Sequence, residues 1–205
     1  MNKVILGIVG LVMIGIFVYA LQGGESEEEY IERIVREREQ IRNFLRGSDE
    51  SPFAPDSIPF QELSYYEPNP TYRVTARLER IDDHKLLVLP TSSGEDEKYI
   101  RYGYAQFELG GQPQRLLVLQ PFEQQQPPIL FLAFADATSG EETYGGGRYL
   151  NIEMPSRTGQ KTLEMDFNLA YNPYCAYNPT FSCPLPPQEN VMDVPIEAGE
   201  KAFDY

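Results

Sequence analysis

Apolar positions follow three rhythms along the chain. Val4 to Leu21 is an unbroken run of eighteen residues without a charge. As a helix it spans ~27 Å, close to the hydrocarbon thickness of a bilayer. From Tyr30 to Leu45 apolar residues recur at helical spacing: Tyr30, Ile34, Ile41 and Leu45, with Ile31, Val35 and Phe44 beside them. Ser26 and Glu29 make a capping box before this run, and Gly47 stands where a C′ glycine ends a helix. Arg36, Arg38, Arg42 and Arg46 interleave with Glu37 and Glu39, the pattern of a solvated face. Standing upright, such a helix would hold the rest of the chain ~30 Å from the membrane exit.

The third rhythm is that of strands. Pro52, Pro55, Pro59, Pro68 and Pro70 rule out long helices and predict an extended strap. Runs rich in β-branched and aromatic residues follow at Tyr72–Leu78, Lys85–Leu89, Tyr99–Leu109, Arg115–Phe122 and Ile129–Ala135, then at Glu142–Met154, Thr162–Phe167 and Val194–Ile196. Gly110-Gly111 and Asp136–Gly140 separate them as hairpin turns do. The pattern predicts a mainly β fold, an antiparallel sandwich or barrel-like body with one N-terminal amphipathic helix and a separate transmembrane helix. It divides the chain into a membrane anchor or signal segment at 1–24, a connecting helix at 25–47 and a β-rich domain at 48–205.

Charge sharpens the address. The 17 basic residues face 31 acidic ones, a net charge of −14, which argues against a nucleic-acid partner. Lys3 precedes the apolar run, whereas Glu25, Glu27, Glu28 and Glu29 follow it. The positive-inside bias rests on that one lysine and directs the body outward. The run exceeds a signal-peptide core, which favours an uncleaved anchor, while Val18-Tyr19-Ala20 also fits a cleavage site. The expectation is a single-pass protein of the cytoplasmic membrane with its body in the periplasm or exterior, or one secreted after cleavage near Ala20. The membrane, reached through the N-terminal helix, is the only partner indicated.

The supply of reactive groups is thin. His84 is the one histidine, in a predicted turn, and no G-x-S-x-G stretch exists. Asp136, Glu141, Glu142 and Asp166 could supply an acid–base pair, the basis of a hydrolase reading. In "TYGGGRYL", Thr143 to Leu150, three successive glycines inside a strand pattern cost stability, so packing or a ligand must require them. Close packing would put Phe167, Tyr171 or Tyr174 over bare backbone, with Arg148 paired to Asp136 or Asp166. Ligand binding would make Arg148 an anion partner. Cys175 and Cys183 enclose seven residues of a Pro- and Asn-rich stretch. Two cysteines and a remote histidine fall short of a zinc site, and no cofactor is implied. In an exported chain the pair reads first as a disulfide, restricting the unfolded chain by about 2.5 kcal/mol.

"DATSGEETYGGGRYL", "DFNLAYNPYCAYNPTFSCPLPPQEN" and "IEAGEK", with "REREQIRNF", "SPF" and "YRV" upstream, resemble the bacterial family catalogued as domain of unknown function 1684, over about residues 30–201. The resemblance implies a β-rich domain with no established activity. Its shared residues, carried onto this chain as candidate ligand-binding positions, are Asp136, Thr143, Tyr144, Gly145, Gly146, Arg148, Asp166, Asn168, Tyr171, Asn172 and Asn190. Cys175 and Cys183 are shared too. The resemblance implies that cytoplasmic members carry the pair, which keeps a thiol or metal role open beside the disulfide. Function is then expected to be binding or envelope-associated, the alternative being a hydrolase built from the carboxylates and Arg148 of the Asp136–Tyr149 and Asp166–Asn190 tracts.

Overall fold

The structure, a computed structural model, describes residues 24–54, 58–83, 85–123, 128–157 and 159–203. The apolar run Val4–Leu21 and His84 lie outside them. Among the described residues no helix is long and apolar enough to cross a membrane.

Helix α1 (Glu27–Gly47) starts at the Ser26–Glu29 capping box, with both reciprocal hydrogen bonds made. Its end differs from expectation. Gly47 is the last helical residue, and Ser48 caps it in an extended conformation, donating its N–H to the Phe44 carbonyl. The helix does not stand clear as a spacer but lies along the body, burying Tyr30, Ile34, Arg38 and Leu45. Arg38 corrects the reading of a wholly solvated charged face. It is buried and donates to the carbonyls of Asn168 (2.9 Å) and Tyr66 (2.8 Å).

Seven antiparallel strands follow: β1 (Arg73–Arg80), β2 (Leu86–Pro90), β3 (Asp96–Leu109), β4 (Gln112–Pro121), β5 (Ile129–Phe134), β6 (Arg148–Glu153) and β7 (Thr162–Asp166). The order is β6-β5-β4-β3-β1-β7, and β2 continues the β1 edge of β3. A bulge at Arg101–Gly103 lets this long strand serve β1 and β2 in turn. The sheet rolls until β6 approaches β7, a nearly closed barrel. Tyr149 and Tyr171 exchange backbone hydrogen bonds of 2.9 and 3.0 Å beside the seam. Gly110 and Gly111, both at positive φ, make the tight β3–β4 turn that their sequence predicts.

Two expected strands are corrected. Only Arg148–Glu153 of the Glu142–Met154 run is a strand, because the glycines turn the chain before it. Val194–Ile196 forms no ladder. It is an extended plug, with Met192, Val194, Ile196 and Ala198 buried in the main core among Phe134, Leu150 and Phe167. The opposite face of the sheet carries a second apolar layer, including Leu117, Leu119, Phe131 and Tyr149, beneath residues 171–190, the cover segment. Residues 116–119 of β4 and 131–134 of β5 are therefore buried on both faces, which is why they read as continuous apolar runs rather than alternation.

Candidate functional site

The polar residues picked out in the two tracts divide among separate clusters. In the first, the Asp136 carboxylate accepts from the Thr138 N–H (2.9 Å) and hydroxyl (2.7 Å) and from the Ile196 N–H (3.1 Å). Its other oxygen pairs with the Arg148 guanidinium at 2.8 Å, both side chains wholly buried. Arg148 also donates to the carbonyls of Ile196 (2.9 Å), Ala198 and Glu200 (3.2 Å). The pair thus clamps the 136–143 turn and β6 to the C-terminal plug. Thr143 sits behind it, 2.9 Å from the Thr138 hydroxyl.

Gly145 and Gly146 belong to the turn that enters β6, where the expected packing is corrected. The ring over Gly146 is that of Tyr144, and across Gly147 lie the Phe134 carbonyl and Pro186 of the cover segment. Phe167 instead packs inside the main core. Gly147 has φ +84°, and a Cβ there would fall 2.5 Å from the Phe134 oxygen. Close packing accounts for Gly147.

The second cluster ties α1 to the barrel. Tyr30 donates its hydroxyl to Asp166 at 2.9 Å, and the Asn168 amide bonds Tyr30, Asp166 and both backbone groups of Asn69. Asn190 acts alone. Its side chain accepts from the Leu117 N–H (2.7 Å) and donates to the carbonyls of Leu117 (2.9 Å) and Ala133 (2.8 Å). It supplies hydrogen bonds where β4 and β5 have a single paired position, Leu119 with Phe131.

A third cluster centres on Glu200, which the sequence reading passed over. Tyr177 donates to it at 2.6 and 2.8 Å, and Asn172 through its side chain at 2.9 Å and its backbone at 3.1 Å. Burial pushes the carboxyl up to about 7 despite these donors. One signal was available: Met192, Val194, Ile196 and Ala198 alternate with exposed neighbours, and the same period carried on points Glu200 inward.

Two adjoining aromatic concavities lie elsewhere. A hollow of about 390 Å³ on the second apolar face is lined by Tyr99, Phe131, Tyr149, Tyr171, Tyr174 and Phe181, with Glu97, Asn151 and Cys183 at its margins. A groove of about 390 Å³ adjoins it, between Gln40, Ile41, Phe44 and Leu45 of α1 and Tyr171, Asn172, Tyr174 and Tyr177. The two share Asn151, Tyr171 and Tyr174. Ring contacts order the wall: Tyr99 stacks on Phe131 at 5.2 Å, and Tyr149 meets Phe131 and Tyr171 edge-on at 4.8 and 5.9 Å. Burial raises the Tyr99, Tyr149 and Tyr171 phenols well above their ordinary range, so all three are neutral near pH 7. No lining residue is basic. Of the candidate binding residues, only Tyr171 and Asn172 face this space, and the Asn172 Oδ1 is buried without a hydrogen-bond partner.

Cys175 and Cys183 sit at the edge of the hollow as free thiols, not as the expected disulfide. The Cys175 N–H donates to the Cys183 sulfur at 3.0 Å. Among the described residues no group of three or more His, Cys, Asp or Glu could hold a metal ion.

A family model described as "Protein of unknown function (DUF1684)" matches residues 59–201. The solution NMR structure of an uncharacterized protein of the archaeon Haloarcula marismortui is similar to the chain, with 34% sequence identity and a TM-score of 0.66. The match covers 85% of this chain and 95% of the archaeal one. No curated protein matches.

Proposed function

Starting from a chain that belongs to the DUF1684 family, we propose a binding domain whose aromatic hollow and adjoining groove take a small, uncharged, ring-bearing ligand. The observation that carries this reading is the composition of the wall: aromatic faces, the amides of Gln40 and Asn151, and no cation. Flat rings offer stacking area, and amides orient a ligand through hydrogen bonds. An anionic ligand would meet Glu97 at the margin and no compensating base. The apolar run Val4–Leu21 supports tethering this domain to the outer side of the cytoplasmic membrane. The hydrolase alternative draws less support, because Asp136 and Arg148 are sealed from solvent and Asp166 is engaged by Tyr30 and Asn168.

Calorimetry with p-nitrophenyl β-glucoside, neutral and two-ringed, tests the reading against p-nitrobenzoate, an anion of similar width. The glucoside should bind the chain, and Tyr171→Ala should weaken it by ~tenfold, the loss of one good stacking contact. Equal affinity for the anion, or binding indifferent to Tyr171, would count against the neutral-ligand reading. Release of p-nitrophenol would favour the hydrolase.

A further inference from the structure

The segment over the second apolar face holds two sulfurs in unequal surroundings. Cys183 is buried at 5% exposure, whereas Cys175 is only half-buried. The segment is fixed beside them by backbone bonds to the end of β2. The Ser92 N–H donates to the Cys183 carbonyl (2.9 Å), the Cys183 N–H to the Ser92 hydroxyl (3.1 Å), and the Leu185 N–H to the Pro90 carbonyl (2.9 Å). The Tyr144 hydroxyl donates to the Cys175 sulfur at 3.9 Å. The Cys183 sulfur in turn accepts the Cys175 N–H. The two cysteines are therefore in direct contact, and they differ in exposure: Cys175 is the one that solvent reaches.

We propose that Cys175 and Cys183 form a thiol–disulfide exchange site, in which Cys175 attacks a small-molecule disulfide and Cys183 resolves the product. Donors around a sulfur favour its thiolate, which is the nucleophile. In keeping with that geometry, the Cys183 hydrogen bond, joined by those of Ser92 and Tyr144, brings the Cys175 thiol down to about 6. The same bond, together with burial, pushes Cys183 up. Other titratable groups acting on the pair are Tyr99 and Tyr149, both held neutral by burial, and Glu97, whose charge disfavours a thiolate at Cys183.

The chemistry closes on itself. The Cys175 thiolate attacks one sulfur of RS–SR; a Cys175–SR bond forms, the RS–SR bond breaks, and RS⁻ leaves to take up a proton from solvent. Cys183 then gives up its proton and attacks the Cys175 sulfur, expelling the second RS⁻, which is protonated in turn. The two cysteines lose two electrons and the small disulfide gains them. Cys175 is exposed enough to be reached first, and Cys183 is already in contact with its neighbour. This site stands independently of whether the groove takes a neutral ligand.

The test uses the full-length chain, reduced with a phosphine, freed of reductant and mixed with 5,5′-dithiobis(2-nitrobenzoate). Wild type should release two thionitrobenzoates and end lighter by two hydrogens, with a Cys175–Cys183 bridge in its peptide map. Cys183→Ser should stop at one release and retain the adduct on Cys175. Cys175→Ser should react ~tenfold more slowly through its buried thiol. The wild-type rate should be half-maximal near pH 6, the position to which Cys175 is brought. Two adducts with no bridge, a midpoint at the ordinary thiol value of about 8.5, or a pair that purifies oxidised and resists the phosphine would each overturn the proposal. Should a variant fail to fold, the wild-type peptide map and rate profile decide alone.

Discussion

Arg148 makes four hydrogen bonds with no solvent exposure, one to Asp136 and three to carbonyls of the C-terminal plug. Arg148→Ala leaves Asp136 as an uncompensated buried charge, so a loss of about 3–5 kcal/mol is expected. For a domain of this size that lowers the melting temperature by on the order of 10 °C. A melt indistinguishable from wild type would mean that Arg148 serves a ligand instead of the fold. Glu200 gives a pH signature. Its folded-state value of about 7 lies above the ordinary 4.5. Between those two values the folded protein keeps a proton that the unfolded chain releases. Stability therefore falls as pH rises through this window and levels off above it, by about 3 kcal/mol from this group. Urea titrations of wild type and Glu200→Gln should differ in slope between pH 5 and 7. Parallel curves would show that the carboxyl ionises in the fold as readily as in water. The Arg148–Asp136 partnership was legible in the sequence because a buried guanidinium needs an anion. The roles of Arg38 and Asn190 were not. Residue type gives the need for a partner, whereas the partners of these two are backbone groups brought near only by the fold.

Among the elements, the turn leading into β6 yields a graded test. A Cβ at Gly145 would meet nothing nearer than 3.5 Å, the Gly140 Cα. At Gly146 it would strike the Tyr144 ring edge at 2.5 Å, a side chain that can swing aside. At Gly147 it would strike the Phe134 carbonyl at 2.5 Å and Pro186 at 2.6 Å, from a backbone at φ +84°. The cost of alanine should therefore rise along the series: near zero at 145, about 1 kcal/mol at 146 and more than ~2 kcal/mol at 147. Chemical denaturation of the three variants reads the order directly. Comparable losses at all three positions would break the link between close approach and the triplet. Helix α1 and six of the strand runs were legible because each has its own period and stop signals. The Glu142–Met154 run was not, since its aromatic and β-branched residues mask a positive-φ turn. Val194–Ile196 has strand alternation yet pairs with no ladder, because its inward side chains plug a core that the barrel leaves open.

For the whole molecule, the question is where the folding unit begins. The family model starts at residue 59, after the helix, yet α1 is built into the body. Tyr30 and Arg38 bond Asp166 and Asn168, and Leu45 shares a core with Phe53, Leu63 and Tyr177. The capping box marks where the helix starts, but nothing in its pattern shows this docking, since an apolar stripe fits a spacer's partner as well as a domain's own wall. The aromatic groove was equally out of reach: its lining joins α1, β3, β5, β6 and the cover segment, which only the closing of the sheet brings side by side. Deleting everything before Ser51 would expose Leu63 and Tyr177, forfeit burial of Tyr30, Ile34 and Leu45, and open the groove's α1 wall. At ~1.5–3 kcal/mol per large apolar side chain, the three helix residues represent about 5–8 kcal/mol, comparable with the whole stability of an ordinary domain. The truncated chain should therefore lose its cooperative melt, while residues 24–205 should keep theirs. Calorimetry of the two proteins decides the point. A sharp transition for the shorter chain within a few degrees of the longer one would show that the β-domain stands alone and that α1 is an accessory laid on its surface.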